Sequence, residues 1–266
     1  MNINDKLIYD VGAHRGEDTE YYLKRGFDVV AIEAVPDYCN QMRTKFASAI
    51  STNRLRILNC AIADEDKSIP FYINDNLSEW STANTAWVER NRQLIPGQSV
   101  RMIYISAEKL SGIFQKFGVP LFCKIDIEGN DLDAVRSMEE LSVVPRYISI
   151  ESEKTNWNAL INELLLLRKL GYRKFKMVNQ GLVHLQSTTG ADRHGAFAAH
   201  DFPFGSSGLF GEEAPGRWMD LFECIEAYKE IFRGYFLNGD VGVFANRGNQ
   251  LPAVDWYDTH ASRDPL

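Results

Sequence analysis

The apolar run Leu7-Ile8-Tyr9 leads directly into Asp10-Val-Gly-Ala-His-Arg-Gly-Glu-Asp-Thr19. An apolar run that ends in an acidic residue, meets two glycines and continues into helix formers reads as a strand turning sharply into a helix. The same alternation recurs down the chain. Strands are expected at 6–11, 28–33, 54–62, 100–106, 120–126, 146–151 and 172–178. Helices are expected at 17–25, 37–48, 107–117 and 131–138, and from a cap at Thr155 or Asn156 to Leu170. Short β-branched runs separated by amphipathic helices specify an α/β fold with a mostly parallel, doubly wound sheet. Residues 68–74 add a β-segment, and 75–98, polar and bearing Trp80 and Trp87, read as a long structured loop over one edge of the site.

The alternation breaks after residue 178. Residues 179–239 are rich in Gly, Phe, His and Ser, with an amphipathic helix at 218–233. They read as an insertion before the last strand, serving as a lid or substrate wall. That last strand is expected at 241–245, and 249–266 as a loosely held tail. The main domain would thus comprise 1–178 plus 240–248.

Composition narrows the function. A net charge of −7 is wrong for a nucleic-acid binder, which needs a basic face. Cys39, Cys60, Cys123 and Cys224 are scattered, without zinc-site spacing, and read as reduced core residues. No apolar run approaches the ~20 residues of a membrane helix, and no signal-peptide pattern opens the chain. A soluble, cytoplasmic protein with no nucleic-acid or membrane partner is the expectation.

Three marks carry chemistry, and all fall at the carboxyl ends of expected strands, where open parallel sheets bind ligands. The first is the turn itself. Gly12 and Gly16 allow close backbone approach, the following helix offers free N–H groups, and Asp10 would hold a ligand ammonium or orient the loop. The second is Glu33, at the end of the second strand, suited to a ribose diol of NAD or of S-adenosylmethionine. A dinucleotide turn needs a second glycine two residues after the first; His14 stands there, which favours the smaller cofactor. The third is Lys124-Ile-Asp-Ile-Glu-Gly-Asn-Asp131, an apolar strand ending in carboxylates, with Asp126 and Glu128 projecting to one side. Glu151 and Glu153 end the neighbouring strand, so Asp126 and Glu151 would face one hard cation such as Mg²⁺.

These segments resemble the FkbM-type family, a branch of the Rossmann-like class I S-adenosylmethionine-dependent methyltransferases. The turn at 10–19 is similar to the family's DVGAxxGxxT turn, Asn59-Cys-Ala-Ile-Ala-Asp64 to its segment after strand three, and Lys124–Gly129 to its KIDVEG signature. The resemblance covers roughly 5–178 and the closing strand and leaves 179–239 unexplained. It implies O-methylation of a hydroxyl, often on a sugar or secondary metabolite. Asp10, Gly12, Ala13, His14, Gly16 and Thr19 would form the cofactor turn, Glu33 and Ala34 would bind the ribose, Asn59 and Ala61 would border the adenine, and Asp126 would line the reacting end. Two positions depart from the family. His14 stands where Asn is common, and Asn130-Asp131 replace a small residue plus Glu.

An alcohol must lose its proton as it attacks a sulfonium methyl, so a base is needed. Asp126 and Glu128 are the leading candidates as base or orienter, followed by His14; His184, His194 and His200 of the insertion would act only if a lid brought them over. Trp80, Trp87, Phe202, Phe204, Phe210 and Trp218 would stack on a sugar or pack the insertion down. Arg193 and Arg217 would bind an anionic acceptor group or form surface ion pairs. The competing readings are an NAD-dependent oxidoreductase and a non-catalytic S-adenosylmethionine-binding module.

Overall fold

The computed structural model describes residues 1–153, 156–188, 194–203, 205–239, 243 and 255–266. The elements are β1 (Ile3–Val11), α1 (Glu17–Lys24), β2 (Asp28–Ile32), α2 (Pro36–Lys45), α3 (Ala47–Ser51), β3 (Leu55–Leu58), β4 (Ala61–Ile62), β5 (Lys67–Asn74), α4 (Thr85–Leu94), β6 (Val100–Glu108), α5 (Leu110–Phe117), β7 (Val119–Ile125), α6 (Asp131–Ser137), β8 (Tyr147–Glu151), α7 (Trp157–Lys169), β9 (Lys174–Asn179), α8 (Leu221–Asn238) and β10 (Tyr257–Ser262).

Seven strands form one sheet in the order β3-β2-β1-β7-β8-β10-β9, with β10 antiparallel to both neighbours and the other pairings parallel. This is the expected doubly wound, mostly parallel α/β sheet. The order reverses between β1 and β7, which opens a crevice at their carboxyl ends. The sheet centre is dry. Every residue of β7 is buried, as a strand covered on both faces requires. On one face Tyr9, Val11, Cys123 and Ile148 pack against α5, α6, α7 and α8; on the other, Ile8, Val29 and Ala31 pack against Tyr21, Tyr22, Cys39 and Met42 of α1 and α2. All four cysteines are free and buried.

Several expectations need correction. The third strand does not run through to 62. It stops at Leu58, and Ala61–Ile62 leaves the main sheet to pair with β6, which also pairs with β5 in a separate three-stranded sheet. Residues 75–98 are not all loop. They contain α4, capped by the Asn84 side chain, which accepts from the N–H groups of Ala86 and Trp87. Only Val88 and Asn91 of α4 are buried, so the apolar stripe that betrays a helix is too sparse to read.

The 249–266 segment is not a loose tail. Its residues 257–262 are β10, inserted between β8 and β9 and almost wholly buried. The expected closing strand at 241–245 lies outside the described residues apart from Val243. The described part of 179–239 packs on both faces of the sheet. Cys224 and Tyr228 of α8 belong to the main core, while Val183, Phe202, Leu209 and Phe210 complete the opposite face. Phe210 stacks on Phe122 with ring centroids 4.5 Å apart. Fully buried Arg25 clamps this stretch, donating to Glu213 (2.8 and 3.0 Å) and to the His194 carbonyl. Among the described residues, no helix is long and apolar enough to cross a membrane.

Candidate active site

A cavity of about 630 Å³ opens at the carboxyl ends of β1, β2, β7 and β8 and at the amino end of the antiparallel β10. Its size is that of a small-molecule site. The turn after β1 forms its floor. Gly12 has φ +81°, and a Cβ there would lie on the Asp126 carbonyl oxygen. This glycine is required by the β1–β7 backbone approach, with the ligand-side opening as its result. Gly16 (φ +82°) lies beneath Phe46 and Met42 and does not reach the cavity.

At one end of the cavity stands Glu33. Its Oε2 accepts from the His14 backbone N–H (2.8 Å) and its Oε1 from that of Val35 (2.7 Å). Burial pushes its carboxyl up to about 7, against the lowering effect of those two N–H bonds. The Asn59 amide donates to the carbonyls of Glu33 and Ala34, both at 3.0 Å. Asn59 therefore fixes the end of β2 without facing the cavity. Ala13, His14, Ala34, Tyr38, Cys60, Ala61, Ile62 and Phe71 continue this wall. The His14 ring sits 3.2 Å from Glu17 Oε1 and 2.9 Å from Ser78 Oγ, with φ +49° at its own backbone.

Asp10 and Thr19 also lie behind the wall. The Thr19 hydroxyl donates to Asp10 Oδ2 (2.6 Å), and the buried Lys124 ammonium lies 3.5 Å from Asp10 Oδ1. Of the two roles open to Asp10, orienting the loop is the one its position allows, since it is fully buried and absent from the cavity lining. Lys124 donates to the Gly12 carbonyl (3.0 Å) and lies 3.8 Å from Asp18 and 3.6 Å from Asp126. It ties the two motifs together at the crevice.

The other end of the cavity is a cluster of carboxylates. Asp126, Glu128 and Glu151 each offer an oxygen, all within 4.8 Å of one another. Asp258 faces the same cavity. The pairing explains their convergence. Ile125 of β7 pairs with Ile150 of β8, and Glu151 pairs with Asp258 at the start of the antiparallel β10, so three adjacent strands carry acids side by side at this edge. Glu128 has φ +54°, a left-handed conformation that a non-glycine residue adopts at a cost of about 1–2 kcal/mol. It is held there by the Thr82 hydroxyl on its carbonyl (2.7 Å) and by Trp87 Nε1 on Oε2 (2.7 Å). Burial, then the charges of Glu151 and Asp126, push the Glu128 carboxyl well above the carboxylate range. Burial, Asp126 and Glu151 do the same to Asp258. Asp131 caps the turn, accepting from the N–H groups of Ile127 and Gly129. It replaces the family's usual residue without loss of the helix start.

The structure thus brings Gly12, Ala13, His14, Glu33, Ala34, Ala61, Asp126, Glu128 and Glu151 to one cavity, with Trp80 and Trp87. It leaves Asp10, Gly16, Thr19 and Asn59 behind the walls. Glu153 accepts from the Asn156 N–H and does not line the cavity. His184, His194 and His200 also stand outside it; His194 contacts Tyr147, and His200 packs on Tyr21. Phe202, Phe210 and Trp218 pack the later segment onto the sheet, and Arg217 pairs with Glu223 on the surface. Arg193 and Phe204 lie outside the described residues.

Sequence reasoning missed Asp18, Ser206, Ser207 and Asp258. Asp18 is buried at the cavity and accepts the Ser207 N–H with both oxygens (3.0 and 2.9 Å), closing the later segment over α1. Its place in the first turn of α1, directly after the glycine turn, is the available signal.

The family model for the methyltransferase FkbM domain matches residues 10–174, more than half the chain. The chain belongs to the FkbM methyltransferase family. It is similar to an uncharacterized methyltransferase of Mycobacterium bovis and to one of Mycobacterium tuberculosis, each 22% identical over 184 residues, 68% of this chain and 70% of the relative. Similar solved structures include the precorrin-6y C5,15-methyltransferase of Geobacter metallireducens (11% identical, TM-score 0.40, 99% of this chain and 82% of that one). Another is a SAM-dependent methyltransferase of Archaeoglobus fulgidus (11%, TM-score 0.39, 97% and 86%). Methyl transfer is therefore the activity the site must explain.

Proposed function

We propose that the protein methylates a hydroxyl of a sugar, glycoconjugate or secondary metabolite at this cavity. The observation that carries this reading is the division of one cavity into a neutral-walled end around Glu33 and an acidic end around Asp126. S-adenosylmethionine fits the first end. Each Glu33 oxygen spends one lone pair on a backbone N–H and keeps another for a ribose hydroxyl. Ala61, Ile62 and Phe71 offer an apolar slot for the adenine, and the Gly12–His14 turn passes beside the methionine portion.

When bound, the cofactor supplies an electrophilic methyl carbon on a sulfonium. The protein's part is to place an acceptor oxygen in line with it and to take the hydroxyl proton. Alignment of this kind supplies much of the rate in such displacements. Asp126, 36% exposed and lining the cavity, is the group that accepts the proton. Glu128, locked by Trp87, orients the acceptor. With the methyl group leaving sulfur for the acceptor oxygen, the hydroxyl proton would pass to the Asp126 carboxylate. Trp80 and Trp87 supply flat faces suited to a sugar ring.

Calorimetric titration with S-adenosylhomocysteine, with NADH in parallel, tests the first half. Binding of the former alone, lost in Glu33→Ala, is expected. Methyl-labelled cofactor incubated with a panel of hydroxyl and amine acceptors tests the second. Label on amines alone would refute O-methylation, and cofactor binding without any role for Asp126 in the biological function would favour the non-catalytic module.

A further inference from the structure

We propose that Asp126, Glu128 and Glu151 hold a divalent cation at the acidic end of the cavity, with Asp258 as a fourth carboxylate beside it. Three observations carry this. The first is spacing. Three oxygens within 4.8 Å of one another suit a shared ion, because oxygens bound at about 2.0–2.6 Å to one cation lie at most about 5 Å apart. The second is Asp258. It is 5% exposed and lines the cavity, yet its carboxylate has no hydrogen bond or ion pair among the described residues. It sits directly across β8–β10 from Glu151, an arrangement of like charges that destabilises a sheet. The third is Glu128, held in a left-handed backbone conformation by Thr82 and Trp87, which turns its carboxyl into the cluster. Strain of this type persists where surrounding contacts enforce it, commonly at functional sites.

Lys124 lies 3.6 Å from Asp126 of the cluster and is shared with Asp10 and Asp18. The donors are all carboxylate oxygens, without His or Cys, which selects hard ions such as Mg²⁺, Mn²⁺ or Ca²⁺. Such an ion would neutralise the mutual repulsion, keep the three ligands ionised and offer an anchor for acceptor oxygens. The inference rests on the proposed function only for that last role; the binding itself can be measured alone.

Mn²⁺ titration followed by electron paramagnetic resonance, with Mg²⁺ as competitor, is the test. Wild type should bind one Mn²⁺ tightly enough to be displaced by millimolar Mg²⁺. Asp126→Asn and Glu151→Gln should weaken it at least tenfold, Asp258→Asn severalfold, and the exposed control Glu226→Gln not at all. In chelator, Glu151→Gln should melt at a higher temperature than wild type, because repulsion is relieved, and Mg²⁺ should no longer raise its melting point. That readout also guards against variants that merely misfold. Absence of Mn²⁺ binding to folded wild type overturns the proposal. So does loss of S-adenosylhomocysteine binding in Glu151→Gln and Asp258→Asn in parallel with loss of Mn²⁺, which would assign the cluster to the cofactor's ammonium. Mn²⁺ binding without S-adenosylhomocysteine binding would leave the cation site standing and refute the methyltransferase reading.

Discussion

The two ends of the cavity are built on opposite principles. At the Glu33 end the main polar groups are held within the fold: two N–H groups on the carboxylate, two carbonyls on the Asn59 amide, and the Thr19 hydroxyl on Asp10 Oδ2. At the Asp126 end the acids face one another, and Glu128 and Asp258 hold their protons far above the usual range because burial and neighbouring negative charge both disfavour ionisation. The first end is preorganised and shape-defined. The second is electrostatically unbalanced, so that a bound cation or acceptor changes its charge state. A binding region can afford satisfied groups, whereas a reacting region needs groups whose protonation can shift.

The contrast can be broken in several ways. The largest effect should come from Gly12→Ala. The added Cβ meets the Asp126 carbonyl, and φ +81° is strained for alanine, together about 3–5 kcal/mol. A melting point lower by roughly 10 °C, or no folded protein, is expected by calorimetry. Wild-type stability in that variant would show that the turn is not pinned between the two ends. Next is Glu33→Ala, which should raise the S-adenosylhomocysteine dissociation constant about 100-fold, since charged hydrogen bonds are worth about 1.5–3 kcal/mol each. Trp87→Phe, at the other end, should instead cut turnover about tenfold and leave that constant within about twofold. Equal effects on both quantities would erase the division of labour.

The pH dependence sharpens the comparison. Glu33 rises from 4.5 to about 7 and Asp131 from 3.8 to about 6 on folding. The native state therefore binds more protons than the unfolded chain between those values. This contribution to stability is complete below pH 4 and is lost as pH rises through 6 to 7. Melting temperature should fall between pH 5 and 8, with a shallower slope in Glu33→Gln. Cofactor affinity should move the other way, rising as Glu33 ionises and can accept from a ribose diol. The smallest effect is expected for Asn59→Ala. It removes two bonds to the Glu33 and Ala34 carbonyls at a half-buried site, and should weaken S-adenosylhomocysteine a few-fold in the same titration.

Local patterns carried much of this structure. The strand and glycine turn at 10–19, the acid at 33 and the Lys124–Gly129 segment each declare themselves within a few residues, because strand, turn and helix starts depend on near neighbours. Residues 257–262 did not. Tyr-Asp-Thr-His-Ala-Ser lacks the β-branched apolar run of a central strand. Its central hydroxyl, Thr259, is satisfied by distant partners, Ser152 and Tyr228 at 2.7 Å each. Helix α4 was equally hidden, since its role is to present Trp87 and not to bury a stripe.

By itself the sequence determined the sheet class, the crevice between β1 and β7 and most residues on its floor, since hydrophobic periodicity and glycine placement act locally. Only the tertiary structure decided that Asp258 joins Asp126, Glu128 and Glu151 by pairing across from Glu151, and that Asp10 and Thr19 stand behind the wall. Those relations depend on strand order and register, which no local propensity encodes.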